Sequence, residues 1–483
     1  MSQKTKIAGW VAAGALTGAL ATVSLQTLAR GNFAPLPLEE LQQLAAVFGI
    51  IKSNYVEPVN EHKLITDAIS GMVSGLDPHS EYFDKKAYKA FREGTTGRFV
   101  GLGIEVTQED GLVRVVSPIE GSPADRAGLK SGDLITRIDD TPVKGLTLSE
   151  AIKRMRGEPS TKVTLTVVRK DENNRVFTVT ITRAEIHNQS VKAKIVMPGY
   201  GWIRVSQFQQ DTVRDFAAKL QGLYQQDPNL KGLVLDLRND PGGLLDAAVA
   251  VSAAFLPVGE VVVSTKGQIP ESNAVFKARP EDYMAGWGTD PLKDLPTVLK
   301  SVPLVVLVNQ GSASASEIVS GALQDHRRAT VMGAQTFGKG SVQTVRQLGP
   351  DTAMKLTTAR YYTPSGRSIQ ARGIVPDIMI DDTAEGSPYA ALYTRESDLE
   401  HHLQGPNAEP DKKDTTALEK EREAALNRLE ADAKKPESQR RLPEYGSERD
   451  FPLQQALAKL QGKPVQASKT LTERKVQPGD SEE

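Results

Sequence analysis

The chain has 483 residues, a formal net charge of -1 and 0 Cys. This length predicts two or three globular units with tails, and the balanced charge argues against nucleic-acid binding as the main role. Without cysteine there is no thiol nucleophile, no disulfide and no site for lipid attachment, which excludes thiol proteases and lipoproteins.

Residues 1–30 have the pattern of a targeting segment. Lys4 and Lys6 precede an uncharged stretch that is rich in Ala, Gly and Leu and ends before Arg30. This order predicts export or membrane insertion, with the bulk of the protein outside the cytoplasm. The small-residue cleavage signal ending at Ala29 is poor, and the stretch is long enough to span a bilayer. A cleaved signal peptide and a membrane anchor are therefore both open.

Residues 31–89 are predicted to be a helical region, because apolar residues recur with helical spacing from Leu36 to Tyr82. The positions are Leu38, Leu41, Leu44, Val47, Leu64, Ala68, Ile69 and Met72. The six histidines of the chain form no group with metal-ligand spacing, so neither a metal nor a cofactor is expected.

Residues 90–184 carry two glycine-containing signals of a small β-rich module. The run GLGI at 101–104 opens a predicted strand, and AGLKSGDLI at 127–135 resembles the second signature of PDZ domains. Such domains bind an extended peptide at a sheet edge and hold its terminal carboxylate with loop amides. The amides expected to do so are those of Leu102, Gly103 and Ile104. On their own, the two glycines would equally relieve crowding at a strand start. Residues 148–155 are predicted to form the amphipathic helix of the groove.

Farther along, residues 232–237 read as a buried strand, DPGG at 240–243 as a tight turn and 244–255 as a helix. The free amides of such a turn can bind any anion, whether phosphate or oxyanion. Asp236 and Arg238 are expected to form a structural ion pair at the end of the strand.

A second strand and helix follow at 304–308 and 315–323, joined by a turn that contains Ser312 and Ser314. A serine at this junction lies beside the free amides of a helix start, with Ala315 as the first donor. The same serines could simply cap the helix.

Lys339 lies between Gly338 and Gly340, where its side chain can be approached closely. A serine hydroxyl needs a base, and a lysine serves only where burial lowers its pKa from about 10.4 towards roughly 7 or 8. Gln343 follows four residues later. A direct contact between these two side chains predicts a helical turn, since an extended strand would separate them by about 13 Å.

His326 is the competing base, beside Asp325 near the end of the helix that begins at Ser314. The two residues are about 18 Å apart along such a helix at roughly 1.5 Å per residue, which is too far for proton transfer. A serine–histidine hydrolase is therefore the weaker alternative.

Residues 383–483 change in character. The stretch 403–450 is rich in charged residues and Pro, and is predicted to be flexible or to form a solvated helix over 416–433. Residues 451–460 regain helical spacing and could dock on the body or on another subunit, and disorder is predicted from Thr470 onward.

The strings GSASASEI at 311–318 and FGKGSVQ at 337–343 closely resemble those of the carboxyl-terminal processing proteases, also called tail-specific proteases. The resemblance extends over residues 40–382 in family order, with LDPHSEY at 76–82, the PDZ-like module and LDLRNDPGG at 235–243. It implies that Ser314 is the nucleophile, Lys339 the base and Gln343 a residue that positions this lysine. The implied oxyanion donors are the amide of Ala315 and that of Gly242 or Gly243.

The resemblance also implies an α/β fold, with a crotonase-like core over 185–382, an inserted PDZ domain, and helical N- and C-terminal regions, the first for dimerisation. The implied activity is periplasmic or otherwise extracytoplasmic cleavage of proteins near free C-termini. Cell-envelope proteins such as cell-wall hydrolases are among the implied substrates, and an adaptor protein and a homo-oligomer are further implied partners. An inactive PDZ scaffold and an acyl-CoA-handling enzyme are the remaining alternatives.

Overall fold

The structure is a computed structural model that describes residues 37–119, 121–172, 174–284, 288–405, 415–433, 435 and 439–469. The predicted targeting segment and the residues from Thr470 onward lie outside these ranges. Within them, no helix combines the length and the apolar character needed to cross a membrane.

Helices occur along the whole described chain. They are α1 (Leu38–Asn54), α2 (Glu61–Ser74), α3 (Lys85–Thr96), α4 (Pro123–Arg126), α5 (Leu148–Met155), α6 (Thr212–Gln226), α7 (Leu245–Ala253), α8 (Pro280–Tyr283), α9 (Ala315–Asp325), α10 (Thr415–Ala433) and α11 (Phe451–Leu460).

Strands alternate with these helices, as expected for an α/β protein. They are β1 (Glu81–Phe83), β2 (Arg98–Gly101), β3 (Ile104–Glu109), β4 (Leu112–Pro118), β5 (Leu134–Ile138), β6 (Thr141–Pro142), β7 (Lys162–Arg169), β8 (Arg175–Thr182), β9 (Ala184–His187), β10 (Val191–Met197), β11 (Tyr200–Val205), β12 (Gly232–Asp236), β13 (Val261–Gly267), β14 (Ala274–Lys277), β15 (Leu304–Val308), β16 (Thr330–Gly333), β17 (Ser341–Gln347), β18 (Ala353–Tyr362) and β19 (Ile378–Met379).

The chain divides into two compact units, residues 1–71 and 72–483. The described part of the first unit consists of α1 and most of α2, as the apolar spacing predicts. Five large apolar side chains of α1 are exposed, from 44% for Leu41 to 65% for Leu38. A row of exposed apolar side chains of this kind is typical of a docking surface.

Within the second unit, the PDZ-like module is an antiparallel sheet with the strand order β3-β4-β5-β7-β8. Helix α5 has the predicted bounds and starts with a capping box between Thr147 and Glu150. Strand β3 lies at an edge of the sheet, where it pairs with β4 alone among the described strands. The antiparallel pair β2 and β9 links the module to the rest of the unit, and α3 runs across the expected boundary between residues 89 and 90.

The core of the second unit is a six-stranded sheet with the order β10-β11-β12-β15-β16-β19. All neighbours except β10 and β11 are parallel. Strands β12 and β15 are buried along their whole length, which explains their continuous apolar sequences. Side chains alternate between the faces: Leu233 and Leu235 pack towards α6, α7 and α9, whereas Val234 faces α11.

A second sheet in the core has the order β1-β18-β13-β14, with β17 also paired to β18. It brings LDPHSEY against the strand pair that follows Lys339. The tail is more ordered than its composition predicts: α10 forms over the expected residues, and α11 docks on the six-stranded sheet of the same chain.

Candidate active site

The site lies where β12 and β15 end. Because these strands are parallel neighbours, the turns that follow them meet at one edge of the sheet. Two serines fasten these turns together: Ser312 Oγ donates to the Leu237 carbonyl at 2.8 Å, and Ser316 Oγ donates to the Asp240 carbonyl at 3.0 Å. Both are fully buried and donate to carbonyls of the neighbouring turn, so they hold structure by joining the two turns and not by capping the helix.

Ser314 differs from its two neighbours. It precedes α9 with φ 53° and ψ -109°, a backbone conformation that costs a non-glycine residue on the order of 1–3 kcal/mol. Its side chain bonds to the hydroxyl of Tyr361 on β18. This tyrosine is buried, and burial raises its pKa, so its hydroxyl stays protonated at neutral pH. A strained turn that presents one hydroxyl at a helix start is suited to a nucleophile.

The glycine turn lies directly against Ser314. Gly242 has φ +95°, and a Cβ added to it would be 2.8 Å from the Ser314 Cβ and from the Ala315 nitrogen. The Gly242 amide is already bound, because it donates to Asp240 Oδ1 at 2.9 Å. Within the described ranges the amides of Gly243 and Ala315 donate no hydrogen bond. These two amides are available to an anion beside Ser314.

A buried glutamate joins the serine turn to the lysine loop. Glu317 Oε2 accepts hydrogen bonds from the Ser314 and Lys339 amides at 2.8 and 2.9 Å. Its Oε1 accepts from Thr336 Oγ1 at 2.5 Å and from the Gly338 amide at 2.7 Å. Burial raises the pKa of Glu317 to about 7 against the opposing effect of these donors. The sequence motif contains this residue, but no feature of the sequence revealed its role.

Lys339 is half-buried beside this carboxylate. Its ammonium group forms no hydrogen bond or ion pair with any residue that the structure describes. Burial lowers the pKa of Lys339 from its ordinary 10.5, and the charge of Lys355 acts in the same direction. The carboxylates of Glu396, Glu317 and Asp77 oppose this shift. The ammonium group of Lys339 therefore loses its proton more easily than that of an ordinary lysine, as a base requires.

The helical turn expected between Lys339 and Gln343 is wrong. Gln343 lies on β17, paired with β18, and its Nε2 donates to Ser341 Oγ at 3.0 Å and Thr357 Oγ1 at 3.1 Å. The Thr357 hydroxyl in turn donates to Asp77 Oδ1 at 3.0 Å. Strand pairing overrides the local pattern here, and LDPHSEY supports β18, the partner of the strand that carries Gln343.

His326 cannot replace Lys339. It follows the last turn of α9, at the opposite end from Ser314. Its Nε2 lies 2.7 Å from the Val261 carbonyl, and its Nδ1 lies 3.6 Å from Glu260. The serine–histidine alternative is therefore wrong for this residue.

Comparisons with known proteins agree with this geometry. The chain matches Peptidase family S41 over residues 199–380, the PDZ domain family over 100–181 and the Activating protease CtpB N-terminal domain over 14–87. A carboxy-terminal-processing protease of Bartonella bacilliformis is 44% identical over 370 residues, which are 76% of this chain and 81% of that protein. The chain belongs to the carboxy-terminal-processing proteases. It is thus a serine-type peptidase with a PDZ domain.

Two other proteins are also similar to this chain. A "Probable CtpA-like serine protease" of Staphylococcus aureus strain MRSA252 is 40% identical over 343 residues, which are 71% of this chain and 65% of that protein. The solved structure of a photosystem II D1 C-terminal processing protease is 31% identical, with a TM-score of 0.39 over 68% of this chain and 84% of that one.

The PDZ domain of this protease has a constrained backbone where the carboxylate-binding amides were predicted. Gly103 has φ +76°, and a Cβ there would lie 2.3 Å from the Ser122 Cβ, so glycine is required. Its carbonyl accepts from the Ile119 amide and from Ser122 Oγ, both at 2.9 Å. The amides of Leu102 and Gly103 donate to no described residue. Ile104 is the first residue of the edge strand β3.

The predicted ion pair of the protease core is confirmed and has an additional member. Arg238 Nη2 lies 2.6 Å from Asp236 and 2.7 Å from Asp450, which comes from the turn before α11. All three are almost completely buried. Tyr445 stacks on Arg238, and its hydroxyl accepts from Asn239 Nδ2 at 2.8 Å. The sequence gave no signal for the contribution of the tail, because Asp450 lies 212 residues from Arg238.

Proposed function

We propose that Ser314 and Lys339 act together as nucleophile and base in a peptidase that forms an acyl-enzyme. Ser314 Oγ attacks the scissile carbonyl while Lys339 Nζ accepts its proton, and the lysine then protonates the leaving amine. Water hydrolyses the resulting ester by the same proton transfers. The observation that carries this proposal is the carboxylate of Glu317, which holds the backbone of both residues at once.

We assign the oxyanion site to the amides of Ala315 and Gly243. The family pattern implies either Gly242 or Gly243 as the second donor. The Gly242 amide already donates to Asp240, which favours Gly243 as the oxyanion donor. Two preorganised amides at this position would stabilise the tetrahedral intermediate, a contribution typically worth about 3–4 kcal/mol per donor. Gln343 is assigned to positioning Lys339: its Nε2 donates to Ser341 and Thr357, and its Oε1 would accept a hydrogen bond from the lysine.

We further propose that the PDZ domain selects substrates with a free C-terminus. The terminal carboxylate would bind the amides of Leu102, Gly103 and Ile104, and the peptide would add to the edge strand β3. The N-terminal segment predicts an extracytoplasmic protein, retained by an anchor or released after cleavage, with cell-envelope proteins as substrates. The exposed apolar face of α1 supports assembly with a second copy, and an adaptor protein would act at the PDZ domain.

Four variants test the assignment of Ser314 and Lys339. Ser314→Ala and Lys339→Ala should each abolish peptide cleavage, because the two residues act as a unit. Lys339→Arg should be equally inactive, since guanidinium cannot give up its proton. Ser316→Ala is the matched control for Ser314→Ala and should retain turnover. Turnover by purified Ser314→Ala, with its fold verified by circular dichroism, would refute the proposal.

A further inference from the structure

Asp240 is a buried carboxyl group at the start of the glycine turn. Its side chain has no exposed surface, although it lies in the turn that carries the proposed oxyanion donor Gly243. One oxygen, Oδ1, accepts the Gly242 amide at 2.9 Å. The other, Oδ2, has no hydrogen-bond partner among the described residues. A buried carboxylate with one unpartnered oxygen would be far more costly than a neutral carboxylic acid in the same place.

The backbone of Asp240 connects this turn to the nucleophile. Its carbonyl accepts hydrogen bonds from the Ala313 amide at 2.9 Å and from Ser316 Oγ at 3.0 Å. Any movement that follows from a charge on Asp240 is therefore transmitted to both sides of the proposed oxyanion site.

The surroundings supply little compensation for a negative charge on Asp240. Arg204 on β11 is the charge that acts on Asp240. The neighbouring elements also carry Glu317 on α9, Asp246 on α7, and the pair Asp236 and Arg238 on β12 and its following turn. Arg238 is already paired with two carboxylates. Burial raises the pKa of Asp240 from 3.8 to about 8, and the Gly242 amide, the Ser316 hydroxyl and the charge of Arg204 only partly oppose this.

We propose that Asp240 works as a neutral carboxylic acid that holds the oxyanion turn, and that its ionisation at alkaline pH switches the peptidase off. The inference rests on the proposed function. The neutral acid fixes Gly242 and leaves the Gly243 amide free for the oxyanion. The ionised form places a negative charge beside the site where negative charge develops in the transition state, which raises the barrier. Asp240 is thus a positioning residue.

A stability measurement tests the protonation state without using activity. The folded protein keeps the proton of Asp240 up to about pH 8, whereas the unfolded chain releases it near 3.8. A group with a raised pKa contributes stability that is complete below its unfolded pKa and is lost as the pH rises through its folded pKa. The free energy of unfolding of the wild type, minus that of Asp240→Asn, should therefore fall between about pH 5 and about pH 8 and then level off.

The pH profile of kcat tests the functional half. In the wild type, kcat should fall about tenfold per pH unit above about pH 8. Asp240→Asn keeps the acceptor oxygen but cannot ionise, so this alkaline fall should disappear. Asp240→Ala loses the acceptor, and its kcat at neutral pH should be at least about tenfold below that of Asp240→Asn. Asp246→Asn is the matched control. Burial also raises the pKa of Asp246, but its side chain bonds only at the start of α7. The kcat of this variant should still fall at alkaline pH.

An alkaline fall that persists in Asp240→Asn, or a stability difference that does not change with pH, would overturn the inference. The proposed function fails by a different result, namely turnover by Ser314→Ala. The two failures are therefore distinguishable with the same full-length enzyme and the same peptide assay.

Discussion

Glu317 shows how a single carboxylate can hold the backbone of Ser314 and also that of Lys339, which lies 22 residues after the glutamate. All four of its hydrogen-bond partners act as donors to it, and they come from the serine turn and from the lysine loop. Removing its acceptor capacity would leave several buried donors unpaired, each at a cost of about 1–3 kcal/mol. Its role is therefore to fix the distance between Ser314 and Lys339.

We expect Glu317→Gln to lower kcat by about a hundredfold or more, because the amide NH2 would face N–H donors and displace the loop of Lys339. The Michaelis constant should change little, since this side chain is fully buried. Steady-state kinetics on a test peptide measure both constants. The exposed Glu271 supplies the control: Glu271→Gln should behave as wild type, and a normal kcat in Glu317→Gln would contradict the positioning role.

At the scale of elements, the sequence predicted those helices and strands whose hydrophobic spacing is complete within one segment. The buried runs at 304–308 and 232–237, the helix after Ser314 and the amphipathic helix 148–155 all form as expected, because each has its period within one segment. The segment after Lys339 did not follow its local spacing, because β18, a partner distant in sequence, holds Gln343 in a strand. Contacts such as those of Glu317 with Thr336 and of Arg238 with Asp450 are likewise products of the fold and have no signature in sequence spacing.

The C-terminal helix α11 contributes to the stability of the core through Asp450. This carboxylate also accepts from the Gly446 amide and the Leu453 amide, so it fixes the turn, the helix start and Arg238 together. Asp450→Asn would leave the buried Arg238 with only Asp236 as an ionic partner. We expect a loss of about 3–5 kcal/mol in the free energy of unfolding, measured by denaturant titration.

Two further variants make that result interpretable. Tyr445→Phe removes only the hydroxyl that Asn239 contacts and should cost about 1 kcal/mol. Glu444→Gln, on an exposed neighbour in the same turn, should cost almost nothing. If Asp450→Asn were as mild as Glu444→Gln, the buried network would not contribute to the stability of the core.

At the scale of the whole molecule, the PDZ domain is joined to the protease core through the pair β2 and β9. Arg98 on β2 bonds Asp211 at 2.7 Å ahead of α6, and Arg156 at the end of α5 bonds Glu93 on α3 at 2.9 Å. A peptide bound along α5 and β3 would therefore lie on a domain that these two ion pairs join to its neighbours at two separate places.

Amidation of a substrate's C-terminus tests this recognition. Amidation removes a charge that several N–H donors would hold. One such hydrogen bond is worth about 1.5–3 kcal/mol, and the loss of that free energy should lower kcat/KM tenfold or more. Parallel assays of free-acid and amidated peptides measure the difference. An enzyme without residues 101–182 should no longer distinguish the two peptides, and equal cleavage of both by the intact enzyme would remove C-terminal recognition from the proposal.

The central claim, a Ser314 nucleophile activated by a neutral Lys339, is tested most directly by the rate at which a fluorophosphonate labels the enzyme at different pH values. Peptide mass spectrometry should find the adduct on Ser314 alone. Because burial lowers the pKa of Lys339 from 10.5, the rate in Asp240→Asn, which lacks the alkaline fall, should rise with pH through a midpoint below that value, and Lys339→Arg should abolish labelling. An adduct on Ser312 or Ser316, or equal labelling of Lys339→Arg, would contradict the account.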